Sequence, residues 1–264
     1  MIKIGHEAPK SIFKEVQAVT DYDYALVHLF EEDPEYLQQF KDAKAKGREI
    51  ILDNSIFELE EAFDAKKFAE WVLELQPDWY IVPDALEDYT KTCNQMTEWN
   101  MKYKNLPGKK IGVVQGKTYE EIKTCYTYMN KIANVDMIAI SFDYSYYVET
   151  IPHPNKYVSW MLGRVKLLGD LLKDGVINVD KPHHLLGTSL PQEGLFYKDY
   201  RWIYSMDTSN PVVAGIKGVE YREEGLWHKE SQKLFELINQ PVDQIDINKV
   251  LYNIAKFKYF WKSK

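Results

Sequence analysis

The sequence has few cysteines and no long apolar segment. Its 264 residues include two cysteines, Cys93 and Cys125, and no CxxC or CxC motif. Two cysteines so far apart predict neither a disulfide framework nor a cysteine-based zinc site. No run approaches the ~18 apolar residues of a membrane span, and the opening MIKIGHEAPK lacks a signal-peptide core. We therefore expect a cytoplasmic protein without a membrane span.

The chain also lacks a positive net charge and a dinucleotide-binding motif. Its formal net charge of −7 argues against a general polyanion binder, although a local basic patch is compatible with it. No GxGxxG follows the first predicted strand, which counts against a doubly wound sheet that binds dinucleotides. We find no internal repeat and no low-complexity linker, so residues 1–264 are expected to form a single domain.

What the sequence does contain is a regular alternation of short apolar runs and helical patterns. The run 24–30 is typical of a buried strand, and Asp33-Pro34 predicts the start of the next helix. This alternation predicts right-handed βαβ units, and the strand count favours a single (β/α)8 TIM barrel over an open doubly wound sheet. Further strands are predicted at 49–52, 79–82, 110–114, 137–140, 184–188, 202–207 and 212–216, and the last helices near 228–239 and 247–260.

Polar residues stand where most of these strands end. In a barrel the strand ends converge on one mouth, and carboxylates crowded there are expected to include one with a raised pKa. Such a set fits Mg²⁺ binding, substitution at a glycosidic bond, or recognition of a heterocyclic base by its hydrogen-bonding edge. The simpler explanation is that each residue caps the next helix. The residues are Asp53, Asp84, Gln115, Ser141, Thr188 and Asp207.

Five segments at these strand ends resemble motifs of the tRNA-guanine transglycosylase family, in that family's order. LDNSIFE (52–58) is similar to LDSGGFQ, and PDWYIVPDALED (77–88) to the strand whose Asp reads the purine. GVVQGKTYEEI (112–122) is very close to GIVQGGxYEDL. HHLLGTSLPQE (183–193) is similar to YLMGVGxPED, and YSMDTSNP (204–211) to MFDCVLPTR.

The resemblance implies a base-exchange reaction, in which a 7-deazapurine replaces a purine at an N-glycosidic bond. By motif, Asp207 would be the nucleophile that attacks C1′, and Asp53 the acid/base. Asp84 and Gln115 would bind the edge of the base. The other expected substrate-binding residues are Gly116, Ser141, Phe142 and Gly187, with a ring of the Phe142–Tyr147 loop stacking on the base or simply packing.

The chain departs from the family pattern in ways that affect which nucleic acid it is expected to act on and whether it is expected to bind zinc. The tRNA enzymes carry a CxCxxC…H zinc site that this chain lacks, and the Gly-Gly of LDSGGFQ is replaced by Asn54-Ser55-Ile56. The chain is more similar to compact paralogues that insert 7-deazaguanine derivatives into DNA. We therefore expect no metal and no cofactor, DNA rather than tRNA as the polymer, and preQ0 or a related base as the partner.

The sequence has two other features that could bear on function, and it is compatible with two other functions. The basic, aromatic C-terminal run could follow a phosphate backbone, although a barrel helix with the stripe 250–257 explains it better. His183 and His184 are adjacent on a strand and should face opposite sides, so they are not a chelate. The same carboxylates could serve a nucleoside or base hydrolase. A non-catalytic base-binding barrel would need Asp84 and Gln115 but no nucleophile.

Overall fold

The computed structural model describes residues 1–61, 63–229 and 232–262, and its fold is a (β/α)8 barrel. The strands of the described residues are β1 (Lys3–Gly5), β2 (Asp23–Leu26), β3 (Ile50–Asp53), β4 (Trp79–Ile81), β5 (Lys109–Val114), β6 (Met137–Ser141), β7 (His183–Leu186) and β8 (Ile203–Asp207). They form one sheet in the order β1-β8-β7-β6-β5-β4-β3-β2. This confirms the fold class that the alternation predicted.

Helices separate most of the strands, as a barrel requires. They are α1 (Phe13–Gln17), α2 (His28–Glu32), α3 (Pro34–Ala45), α4 (Ile56–Leu59), α5 (Ala65–Leu75), α6 (Tyr89–Lys102), α7 (Tyr119–Lys131), α8 (Ser145–Thr150), α9 (Lys156–Lys173), α10 (Asn210–Ile216) and α11 (Gln244–Lys262), with short 3-10 turns at Lys10–Ile12, Pro191–Phe196 and Leu234–Leu237. Within the described ranges, no helix is both long and apolar enough to cross a membrane.

One compact part of the chain, the central unit, comprises Tyr22–Ile140 and Gly175–His183. Its strands β2 to β6 pair in parallel, and the register sets Leu26 opposite Asp53. β2, β3 and β4 are fully buried, which fits parallel strands covered on both faces. Because the strands are parallel, their C-terminal ends lie at one edge of this unit.

The other compact part, the terminal unit, comprises Met1–Asp21, Ser141–Asp174 and His184–Lys264. Here β1 pairs in parallel with β8, and Gly5 lies opposite Asp207. Helices α10 and α11 share an apolar core that includes Val212, Val250 and Ile254. The end of β8 is therefore held by its backbone pairing with β1.

The helix start predicted at Asp33-Pro34 is confirmed by its cap, and helix α5 begins at a cap of the same kind. The Asp33 side chain accepts hydrogen bonds from the backbone N–H of Glu35 and of Tyr36, and Asp64 accepts one from Lys67 at the start of α5. α11 confirms the helix predicted at 247–260. These signals are local, so the sequence alone is enough to locate them.

Other predicted elements were wrong. The predicted strand 24–30 ends at Leu26, and residues 28–30 of that run belong to α2, because a short apolar run fits a buried strand or a buried helix equally well. The predicted strand 212–216 is part of helix α10. Pro211 lies at the start of this helix, where a missing N–H costs nothing.

Two further differences concern the chain's first and last parts. β1 was missed because three residues give no measurable alternation. The helix predicted at 228–239 is wrong in its described part, where a 3-10 turn covers Leu234–Leu237. Residues 230 and 231 lie outside the described residues.

Candidate functional site

Three polar side chains meet at the C-terminal ends of adjacent strands in the central unit. Asn54 follows β3 directly, Asp84 comes shortly after β4, and Gln115 follows β5 directly. Asn54 Nδ2 donates to Asp84 Oδ1 at 2.7 Å, and Gln115 Nε2 donates to Asp84 Oδ2 at 2.7 Å. All three are buried. Each oxygen of the carboxylate is therefore held by one amide; we call Asn54, Asp84 and Gln115 the carboxylate–amide cluster.

Backbone groups fix which way both amides point. The Ile56 N–H donates to Asn54 Oδ1 at 3.0 Å, and the Glu87 N–H donates to Gln115 Oε1 at 2.8 Å. Because a backbone N–H can only donate, each amide must present its NH₂ group to Asp84. Glu87 adopts the left-handed conformation, with φ 52°, which is uncommon outside glycine. The cluster is thus preorganised before any ligand arrives.

Burial dominates the ionisation of Asp84. It raises the pKa of this carboxyl to about 6, and the hydrogen bonds from Gln115 and Asn54 partly oppose that rise. A raised pKa was predicted for one of the strand-end carboxyls, and Asp84 is a group of this kind. Asp84 therefore changes charge just below neutral pH.

This shift predicts a pH dependence of stability. A carboxyl whose folded-state pKa is raised favours folding while protonated, so its contribution is lost as the pH rises through about 6. We expect the unfolding free energy of Asp84→Asn, relative to the unmodified protein, to rise by about 3 kcal/mol between pH 4 and pH 7. Denaturant unfolding of both proteins across this range measures it. A difference that stays constant with pH would contradict the assignment.

Asp53, the predicted acid/base, lies at the end of β3 in the same unit. Its carboxylate accepts hydrogen bonds from the Tyr24 hydroxyl at 3.0 Å and from the Ser55 N–H at 2.8 Å. Ser55 has φ 60°, so its backbone adopts a conformation that an L-residue seldom takes. Gly116 lies against α7, where a Cβ would come within 2.8 Å of the Ile122 nitrogen. The close packing of that turn accounts for Gly116 without a ligand.

Asp207, the predicted nucleophile, lies at the end of β8 in the terminal unit. Its Oδ1 is 3.0 Å from His184 Nε2 and 3.3 Å from the Gly187 nitrogen. His184 Nδ1 lies 2.8 Å from Ser205 Oγ. An ionised Asp207 can only accept, so Nε2 carries a ring proton, and in the neutral imidazole Ser205 then donates to Nδ1. Ser205 is fully buried, so this arrangement orients Asp207 and does not supply a serine nucleophile.

The remaining predicted contact residues of the terminal unit are Gly187, Phe142 and Ser141. Gly187 has φ 57°, and a Cβ there would lie 2.6 Å from Phe142 Cδ1. Lys229 Nζ lies 3.9 Å from the centroid of the Phe142 ring, and burial lowers the pKa of Lys229 to about 8. Ser141 donates to Asp143 Oδ1 at 2.8 Å. Phe142 is buried, so packing explains its ring better than open stacking on a base.

No protein-family model and no curated protein matches this sequence.

The predicted site residues divide between the two units. The central unit holds Asp53, Asp84, Gln115 and Gly116, and the terminal unit holds Ser141, Phe142, Gly187 and Asp207. Hydrogen bonds bring Asp84 together with Gln115, and Asp207 together with Gly187. That all of them share one mouth stays a prediction of the barrel fold.

The helix-cap explanation of the strand-end residues is wrong. In the described residues, the helices that follow β3, β4, β5 and β8 have other N-caps, namely Ser55, Asp88, Thr118 and Ser209. Thr188 instead donates from its hydroxyl to Glu193 Oε2 at 2.8 Å. Three buried aspartates at strand ends thus have no capping role that accounts for them.

Sequence reasoning missed two residues that orient these carboxylates. Asn54 was noted only as a departure from a motif, although its place directly after β3 was the signal. His184 was predicted only not to chelate a metal together with His183. His183 Nε2 contacts the Tyr126 hydroxyl at 2.9 Å, while His184 contacts Asp207, so the prediction that the two rings face opposite sides is confirmed.

The aromatic side chains of the C-terminal helix α11 divide between the core and the surface. On α11, Phe257 and Trp261 are buried, whereas Tyr252 and Tyr259 are exposed. The apolar stripe therefore serves the core, and the four aromatic side chains do not form one stacking surface.

The described residues contain no group of three or more His, Cys, Asp or Glu side chains placed to hold a metal ion. The expectation of a metal-free site stays a prediction.

Proposed function

We propose that this protein is a base-exchange glycosyltransferase that replaces guanine in a nucleic acid with a 7-deazaguanine derivative. The observation that carries the proposal is the carboxylate–amide cluster, in which Asp84 is buried and both of its oxygens are oriented by amide donors. A (β/α)8 barrel is a fold common among enzymes, and its chemistry lies at the C-terminal ends of the strands, where this cluster lies.

The chemistry of the cluster suits the Watson–Crick edge of guanine. Each carboxylate oxygen keeps a lone pair beyond its amide bond, so Asp84 can accept from the N1–H and the exocyclic amine together. Gln115 Nε2 has a second hydrogen that can donate to O6. A 7-deazaguanine carries the same three groups along this edge. One site can therefore hold the leaving base and then the entering base.

Asp207 is assigned as the nucleophile. His184 and the Gly187 N–H both contact Oδ1, so we assign Oδ2 as the atom that attacks C1′. The C1′–N9 bond breaks, its electron pair goes to N9, and Asp53 in its acid form protonates N9. Asp53 then takes the N9 proton of the entering base, N9 attacks C1′, and the Asp207 carboxylate is released.

One assay separates this function from its alternatives. The protein is incubated with guanine-containing DNA or tRNA and a labelled 7-deazaguanine such as preQ0. Incorporation of label into DNA is expected. Incorporation into tRNA alone would identify a tRNA enzyme, and abasic sites without label would identify a hydrolase. Binding of the base with neither product would identify a non-catalytic barrel and reject the proposal.

We predict that base exchange needs no zinc. The motivation is the missing cysteine cluster, since the zinc of the similar tRNA enzymes depends on it. Activity should be unchanged after dialysis against a chelator, measured as label incorporated per minute. Loss of activity that added zinc restores would contradict the prediction.

A further inference from the structure

The terminal unit contains a buried ion pair that the proposed mechanism does not use. Arg164 on α9 donates from Nε to Glu193 Oε1 at 2.7 Å and from Nη2 to Oε2 at 3.0 Å. Neither side chain has any exposed surface. Burial by itself would lower the pKa of Arg164, but the adjacent Glu193 carboxylate outweighs it and the pKa is raised. Arg164 therefore stays charged inside the protein.

The guanidinium also holds the backbone of the turn after β7. Arg164 Nη1 donates to the carbonyl of Leu186 at 2.9 Å, and Nη2 donates to the carbonyl of Gly187 at 2.8 Å. Arginine presents its donors in a fixed plane. Bonds to these two successive carbonyls therefore restrict the two peptide groups on either side of Gly187. Arg164 thus constrains the conformation of Gly187 from the carbonyl side of the turn.

Glu193 fixes the guanidinium in turn. Its carboxylate accepts from the Tyr197 hydroxyl at 2.6 Å and from the Thr188 hydroxyl at 2.8 Å, besides its two bonds from Arg164. A buried ion pair contributes little net stability compared with apolar residues of similar volume. What this pair adds is orientation, because its guanidinium donates to two carbonyls of the turn and its carboxylate accepts from the Thr188 hydroxyl.

We infer that Arg164 is a positioning residue, which holds the Leu186–Thr188 turn so that the Gly187 N–H meets Asp207 Oδ1. The contact spans 3.3 Å and needs the left-handed conformation of Gly187. The inference rests on the proposed function only for the consequence to catalysis. The geometric part, from Arg164 through Gly187 to Asp207, stands without it.

The test compares two variants by hydrogen exchange and by kinetics. Arg164→Met with Glu193→Met removes both charges together, which avoids an unpaired buried charge. Tyr197→Phe is the matched control, since it removes one bond to Glu193 and leaves both carbonyl contacts. Selective ¹⁵N-glycine labelling limits the spectrum to 13 glycine amides, among which Gly187 is followed. Label incorporation gives kcat and the KM for the base.

We expect the Gly187 amide to exchange slowly in the unmodified protein and in Tyr197→Phe, and rapidly in the double variant. We also expect kcat of the double variant to fall about 100-fold through misplacement of the nucleophile, with the KM for the base unchanged. If the double variant does not fold, Arg164→Lys keeps the charge but cannot hold both carbonyls. Its Gly187 amide should then exchange faster than in the control.

Unchanged protection of Gly187 in whichever variant folds would overturn the inference, whatever the activity. Rapid exchange with an unchanged kcat would also overturn it, since the turn would then not position the nucleophile. Rapid exchange in a protein that shows no base exchange in any form would uphold the contact and reject the proposed function.

Discussion

Replacing Asp207 with asparagine is expected to lower the rate of base exchange by at least about 10⁴-fold. A neutral amide attacks C1′ poorly and cannot stabilise an oxocarbenium-like centre. The fold should survive, because asparagine has nearly the same shape and its Oδ1 can still accept from His184 Nε2 and from the Gly187 N–H. The loss would therefore report chemistry rather than unfolding.

Covalent trapping measures this directly. The protein is mixed with guanine-containing DNA and a 7-deazaguanine, denatured, and examined by mass spectrometry for a nucleic-acid adduct. The unmodified protein should give an adduct that maps to Asp207, and Asp207→Asn should give none. Asp170→Asn is the control, because it makes the same chemical change in a surface ion pair with Lys166 on α9. An adduct of equal yield in Asp207→Asn, or one that maps to Asp53, would reverse the assigned roles.

Replacing Asp84 with asparagine should weaken base binding about 10- to 100-fold while a slow reaction remains. The NH₂ groups of Asn54 and Gln115 both point at Asp84, and the backbone N–H groups of Ile56 and Glu87 prevent either amide from reversing. An asparagine at this position has one acceptor oxygen for two donors, so one N–H of the cluster would face another N–H. The site would also lose one of its two acceptors for the base.

Equilibrium binding of labelled 7-deazaguanine measures the effect. Asp78→Asn is the control, since Asp78 precedes β4 at the opposite end of the strand and pairs with Lys44. Affinity of the unmodified protein should also increase as the pH rises through about 6, because only the ionised Asp84 accepts on both oxygens. Unaltered affinity in Asp84→Asn would remove Asp84 from base recognition.

The sequence predicted the parts of the candidate site that depend on strand ends alone. Asp53, Asp84, Gln115 and Asp207 all lie at or just after the C-terminal ends of their strands, as the alternation of apolar runs indicated. Two of the errors lie where an apolar run is short and equally compatible with both periods. The residues of α2 and α10 were taken as strand for that reason, since only burial against neighbouring elements decides between the two.

Local interactions are what the sequence by itself determined about this protein. Helix starts at Asp33 and Asp64, the alternation that gives the barrel, and the polar strand ends all follow from residues within one turn or one strand of each other. Tertiary structure alone decided how the carboxylates are held. Asn54 and Asp84 are 30 residues apart, and Arg164 and Glu193 are 29 apart. A side-chain hydrogen bond depends on distance and angle across separate strands and helices, and residue spacing along the chain does not encode either.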